Sequence, residues 1–179
     1  MIGFTFRHQH CYTEHGIVMN SKSRPILPSK RRRQVEIPLR NGRYEFEDET
    51  YDVRIIEVTC FIDAATIPNL RQKIREIAAW LSKKGTLIFD DEPELSYTAS
   101  VFSIVPLEQI ITAGIFTLIF ECYPMAQGRT ITEAYTVTQS PQELRTEYRG
   151  TAPAKCRLIL ANTGSSPISN IKLLIGKEE

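Results

Sequence analysis

The chain has 179 residues, with 22 Lys and Arg against 21 Asp and Glu, a formal charge of +1. That balance excludes a chain-wide electrostatic attraction for nucleic acid or anionic lipid. Hydrophobic residues at 42% and charged residues at 24% exclude wholesale disorder and fit one domain, or one domain and a fragment of a second.

In chain order the first candidate strands are 3–6 and 16–19. Between them lie all three histidines, His8, His10 and His15, together with Cys11. In a strand His8 and His10 would point the same way, and Cys11 or His15 could complete a tetrahedral zinc set. A polar connecting loop is the competing reading, because no second ligand cluster and no H-E-x-x-H context supports a metal. Cys11 near His10 or His15 is also the one visible nucleophile–base pairing, yet no orienting acid or oxyanion hole can be placed. Arg7, His8 and His10 stand where a secretory leader needs an apolar core, so none is expected.

The next stretch is dominated by charge. Lys22, Arg24, Lys30, Arg31, Arg32 and Arg33 are followed by Arg40 and Arg43, and then by Glu45, Glu47, Asp48, Glu49 and Asp52. Candidate strands 33–37 and 44–47 lie inside this region, with Pro38 where the first should stop. Three readings follow. The basic run is a phosphate-binding arm or localisation signal, or a solvated loop whose charges meet nearby acids, or one half of a head-to-tail contact between identical copies.

Ile56, Val58, Cys60 and Ile62 alternate with Ile55, Glu57, Thr59 and Phe61, the two-residue repeat of a strand with one buried face. Leu70, Ile74, Ile77, Ala78 and Leu81 then recur every three or four residues, which predicts an amphipathic helix over 68–83. Pro68 suits its first turn, Thr66 or Asn69 its cap, and Lys83, Lys84 and Gly85 its exit. Trp80, at the edge of the apolar stripe, reads as packing bulk in preference to a ligand platform. Further strands are expected at 86–89, 97–104 and 115–122, Pro106 stopping the second. Asp90, Asp91, Glu92 and Glu94 could hold calcium or act as an acid/base pair, but without EF-hand spacing a charged turn is the simpler account. Cys60 and Cys122 alternate with large apolar residues and read as core cysteines.

Strands, one helix and more strands make an antiparallel β or α+β plan, with no repeating βαβ pattern. No G-x-G-x-x-G, G-x-x-x-x-G-K-[ST] or G-x-S-x-G motif occurs, so the usual phosphate cradles and the nucleophile elbow are missing. The longest uncharged apolar stretch, 109–120, is too short for a membrane-spanning helix, and a soluble protein made in the cytosol is expected. The stretch between Pro124 and Pro153, rich in Thr, Gln, Ser and Glu, carries a boundary, with 141–153 read as a linker after a first domain at 1–140. Beyond it, 154–161 and 168–175 flank an Asn-Thr-Gly-Ser-Ser-Pro turn, a strand–turn–strand pattern expected to open a second domain.

Several stretches taken together resemble one family. They are Gly3-Phe4-Thr5-Phe6, Gly16-Ile17-Val18-Met19, Pro25-Ile26-Leu27-Pro28, Pro38-Leu39-Arg40-Asn41-Gly42 and Tyr51-Asp52. Ala79-Trp80-Leu81, the run from Leu87 to Pro93, Tyr97-Thr98-Ala99 and Phe120-Glu121-Cys122-Tyr123-Pro124 complete the order. This order is similar to that of the distal tail proteins of long-tailed, non-contractile phages, the siphovirus tail components. The likeness covers about residues 1–125, and the Ala161-Asn162-Thr163-Gly164 turn resembles the start of that family's second domain.

The resemblance implies a non-enzymatic role without cofactor or metal: a hexameric ring at the virion tail tip, assembled in the host cytoplasm. Its implied partners are further copies of itself, the tail tube, a tail-tip protein and a receptor-binding or baseplate protein, with no membrane and no sequence-specific nucleic acid. The implied fold is a mainly β, sandwich-like domain with one helix and an extended hairpin or belt, followed by a β-sandwich outer domain of which only the first hairpin is present. Leu39 departs from the family's Pro-Gly-Arg turn, a change that would reshape it. The basic and acidic runs would then flank a hairpin that contacts neighbouring protomers. A carbohydrate-binding β-sandwich and a nucleic-acid adaptor using Lys30–Arg33 are the alternatives from other classes.

Overall fold

The computed structural model describes residues 3–46, 50–102 and 105–176. They divide into two units, Met1–Thr146 and Glu147–Glu179.

The first unit is built on an antiparallel sheet. Its strands are β1 (Phe4–Phe6), β2 (Gln9–His10), β3 (Val18–Ser23), β6 (Arg54–Asp63), β7 (Gly85–Phe89), β8 (Ser96–Val101), β9 (Glu108–Ile110) and β10 (Ala113–Cys122). Spatial order runs β2-β1-β7-β8-β10-β6-β3, and β9 joins β10 off that path. A separate two-stranded ladder, β4 (Arg33–Glu36) with β5 (Arg43–Phe46), is inserted between β3 and β6. The helices are α1 (Cys11–His15) and α2 (Ile67–Leu81). The predicted antiparallel β fold with one amphipathic helix is the fold found. What periodicity did not announce is α1, too short for a repeating stripe.

The alternation read in β6 and β10 decides which residues enter the core. The two strands pair along their whole length, with Cys60 opposite Phe116 and Ile56 opposite Phe120. Ile56, Val58, Cys60, Ile62, Phe116, Leu118, Phe120 and Cys122 are all buried, as expected of one face of a pleated strand. Phe4, Phe6, Leu87 and Phe89 join them from β1 and β7.

In strand order β3 and β7 lie far apart, yet they meet in space. Lys22 of β3 pairs with Asp91 just beyond β7, and Arg24 Nη1 donates to Glu92 Oε2 at 2.6 Å. Both cations also lie over the Phe89 ring, at 4.9 and 5.5 Å from its centroid. The sheet therefore curls until its far edge closes over β7, enclosing the aromatic core as a sandwich does. The Asp90–Glu92 turn supplies the clasp. Lys22 Nζ is shut off from water and meets the Asp91 carboxylate, which itself stays partly exposed at the rim of the clasp.

α2 covers the core with Leu70, Ile77, Trp80 and Leu81. Thr66 caps its start, Oγ1 accepting from the Asn69 N–H at 3.3 Å, and Pro68 fits the first turn as predicted. It ends at Leu81, short of the predicted 83, where Ser82 Oγ donates back to the Ala79 carbonyl. Gly85 is the first residue of β7 and no part of a helix exit, and a Cβ there would collide with Arg7 Cγ. Trp80 is buried, stacked on Phe4 at 6.0 Å, with Nε1 donating to the Phe6 carbonyl at 2.9 Å. It is core bulk with a satisfied polar edge.

In the second unit the predicted strands 154–161 and 168–175 are not formed, and the described residues carry no ladder. Leu158, Leu160, Ile171 and Leu173 are exposed, so neither stretch has an apolar surface to pack on, and a lone hairpin gains too little without one. The turn itself is present: the Gly164 N–H donates to Asn162 Oδ1 at 2.9 Å, and Asn162 Nδ2 donates to the Ser166 carbonyl.

Candidate assembly surface

The histidine and cysteine group is distributed among structural tasks. His10 is the N-cap of α1, where Nδ1 accepts from the Tyr12 and Thr13 N–H groups at 3.3 and 3.4 Å. That fixes its tautomer, so Nε2–H faces Asp90 Oδ2 at 3.1 Å, an oxygen that also accepts from the Gly3 N–H. Gly16, at φ 64°, closes the other end of this single turn. His15 lies flat on Trp80, ring centroids 4.2 Å apart, and burial there lowers its pKa. His8 is exposed at a turn. Among the described residues no group of three His, Cys, Asp or Glu side chains converges on a point.

Cys11 is fully buried, and its Sγ lies 3.4 Å from the Phe4 backbone nitrogen. Burial pushes its thiol up, and pushes Cys60 and Cys122 up to about 12. A thiol so held is a packing group and a poor nucleophile.

The charged stretch forms an arm. Ser29 C=O accepts from the Asp52 N–H at 2.7 Å and the Arg31 N–H donates to the Thr50 carbonyl, so the two legs run side by side from the base. Further out a separate ladder pairs β4 with β5, where Gln34 faces Glu45 and Glu36 faces Arg43. Every residue from 34 to 43 is exposed. This places the sequence-predicted interface residues Lys30, Arg31, Arg32, Arg33, Arg40, Arg43 and Glu45 on one protruding element, while Glu47, Asp48 and Glu49 lie outside the described residues.

Charge that is segregated along the sequence is partly recombined across the arm. Arg43 Nε donates to Glu36 Oε1 at 2.9 Å, and Arg31 approaches Asp52 at 4.0 Å. Such exposed pairs contribute little to stability, and their charges stay accessible to a second body. Apolar side chains accompany them. Ile26, Leu27, Val35, Ile37 and Leu39 are all exposed, an unusual density for a free surface hairpin.

At the end of the arm the Pro38–Leu39 turn has a left-handed third residue, a conformation that glycine adopts without strain. Leu39 has φ 66°, and the Arg40 N–H donates to the Ile37 carbonyl at 3.2 Å. A proline at the second position, a left-handed third residue and a closing hydrogen bond are the features of a type II turn.

Residues 10–122 match the family model described as the phage tail protein RIFT-related domain. The chain belongs to that family. The matched span runs from the α1 cap through the arm to the end of β10. No curated protein matches. Among solved structures, the fold is similar to that of Dit (gp 19.1) of phage SPP1, described as a paradigm of the hub adsorption apparatus in phages infecting Gram-positive bacteria. The TM-score is 0.62 at 18% identity, over 72% of this chain and 53% of the other, so the chain spans about half the length of that relative. At that identity the likeness is one of fold. The siphovirus distal tail resemblance is thus borne out, and this is a phage tail structural protein of mainly β fold.

Proposed function

We propose that this tail protein is a hub: six copies close into a ring that joins the tail tube to the tip complex or receptor-binding apparatus, with no bond made or broken. The observation that carries the reading is the arm, a hairpin standing off the body with cations and aliphatic side chains exposed together along it. A surface of that kind suits a partner body, and head-to-tail contact between identical copies closes into a ring when the rotation permits. Lys30, Arg31, Arg32, Arg33, Arg40 and Arg43, with Glu45 and the 47–49 carboxylates, are the contact residues in this reading. The domain plan belongs to it as well. Residues 1–140 build the ring, 141–153 link, and 154–179 open an outer β domain whose strands form only against further sheet.

Light scattering over a concentration series tests the ring. A sixfold mass is expected, and one unchanging single-copy mass, alone and with tail tube protein, would refute it. Charge reversal across Arg31, Arg32 and Arg33 should weaken the oligomer more at low salt than at high salt. An oligomer indifferent to that reversal at both salts would remove the basic run from the interface.

A further inference from the structure

Leu39 combines a left-handed backbone with a side chain that gains no burial among the described residues. Its backbone sits at φ 66° in the third position of a type II turn, a place where glycine is unstrained and leucine is not. The residue is at 110% of reference exposure, so it gains no burial from the described residues. A strained residue that presents a bare aliphatic side chain at the end of an arm points to a burial surface on another body.

The outward face of the main sheet has the matching chemistry. Val18, Phe61, Ile115 and Glu108 stand in register across β3, β6, β10 and β9. Phe61 and Ile115, directly opposite one another, keep 37% and 41% exposure. Asp63 lies one step along the same face, while Glu57 and Glu121 share it further on. No lysine or arginine of these four strands points to that side. The face is therefore an apolar centre with a carboxylate rim, and Lys73 of α2 reaches that rim only at the Asp63 carbonyl, to which its Nζ donates at 3.0 Å. The arm ends in the reverse arrangement, an aliphatic knob followed at once by Arg40. At about 3.3 Å per extended residue the leg from Ser29 to Leu39 reaches roughly 30 Å, enough to cross from one body to the next.

We infer that Leu39 of one copy docks on the Phe61–Ile115 patch of a second copy, with Arg40 set beside Asp63 and Glu108. The inference rests on the ring reading and deepens it by naming what the arm grips. Apolar contact supplies affinity and the carboxylate rim orients the tip.

Disulfide trapping separates the two ideas. In a Cys156→Ser background, which removes the exposed thiol, Leu39→Cys and Ile115→Cys are combined in one chain and oxidised. The expected result is a ladder of linked multimers on a non-reducing gel that neither single variant gives. Multimers by light scattering without that ladder would overturn the docking and leave the ring standing; a single-copy mass with no ladder would overturn both. Leu39→Gly gives a second readout that does not depend on cysteine geometry. It relieves the left-handed strain, so the melting temperature should hold or rise, while self-association weakens roughly tenfold or more through the lost burial. Unchanged association in that variant would also defeat the inference.

Discussion

Replacing Trp80 by phenylalanine would test whether the core is organised as described. The indole Nε1–H bonds the Phe6 carbonyl at 2.9 Å, in a site where Phe6 is fully buried. Removing the donor forfeits that bond, at a cost of about 1–2 kcal/mol. The smaller ring also gives up part of the contact with Phe4, whose ring is 6.0 Å away, and with His15 at 4.2 Å, worth about 1 kcal/mol more. The sum is about 2–3 kcal/mol, and for a chain of this size that lowers the melting temperature by roughly 5–10 °C. Because the variant has no tryptophan, far-UV circular dichroism is the assay, with urea titration as a check on the slope. A melting temperature within about 1 °C of the parent would mean that α2 is not fastened to β1 through this bond.

Three further outcomes follow from the electrostatics and the thiols. The hydrogen bond and charge of Lys22 hold the Asp91 carboxyl below its ordinary range, so its stabilising effect is present above the unfolded value and lost as pH falls through the folded one. Asp91→Asn should therefore cost up to about 1 kcal/mol near pH 7, given the partly exposed pair, and the gap should close in strong acid; a gap that widened there would be contrary. Burial holds His15 below 6.5, so the unfolded chain protonates first and stability falls as the pH drops from 6.5 toward the folded value. Trp80 emission should change with a midpoint below 6.5, and His15→Gln should abolish that step. At pH 8 Ellman's reagent should titrate Cys156 alone in the folded chain and all four cysteines in guanidinium, since Cys11, Cys60 and Cys122 are buried.

Elements that a short-range pattern governs could be read from the sequence. The alternation at 55–62 and 115–122 named the inward residues of β6 and β10, and the three-and-four spacing from Leu70 to Leu81 named the buried stripe of α2. The His10 cap and Gly16 stop of α1 were visible as residue types, but a five-residue helix has no period to betray it. The clasp between Lys22, Arg24 and the Asp91–Glu92 turn joins residues nearly 70 positions apart, and only the curl of the sheet brings them together. Leu39 carries a similar lesson. The departure from glycine was legible, while the left-handed backbone at Leu39 and the closing bond from Arg40 are visible only in three dimensions. The 154–175 pattern went the other way, since alternation marks a capacity for pairing that is realised only where a surface receives it.

The form of β3 has a consequence for how copies can add to one another. This outermost strand shifts register between Met19 and Ser21, and Lys22 turns inward to meet Asp91. A bulge and an inward charge are what proteins place on a rim to discourage a stranger's backbone from zipping onto it. With that flank blunted, indefinite growth by strand stacking is disfavoured, and in the proposed ring recruitment would fall to the arm. Under that proposal a head-to-tail arm contact would end at a definite number of members where its rotation closes the ring.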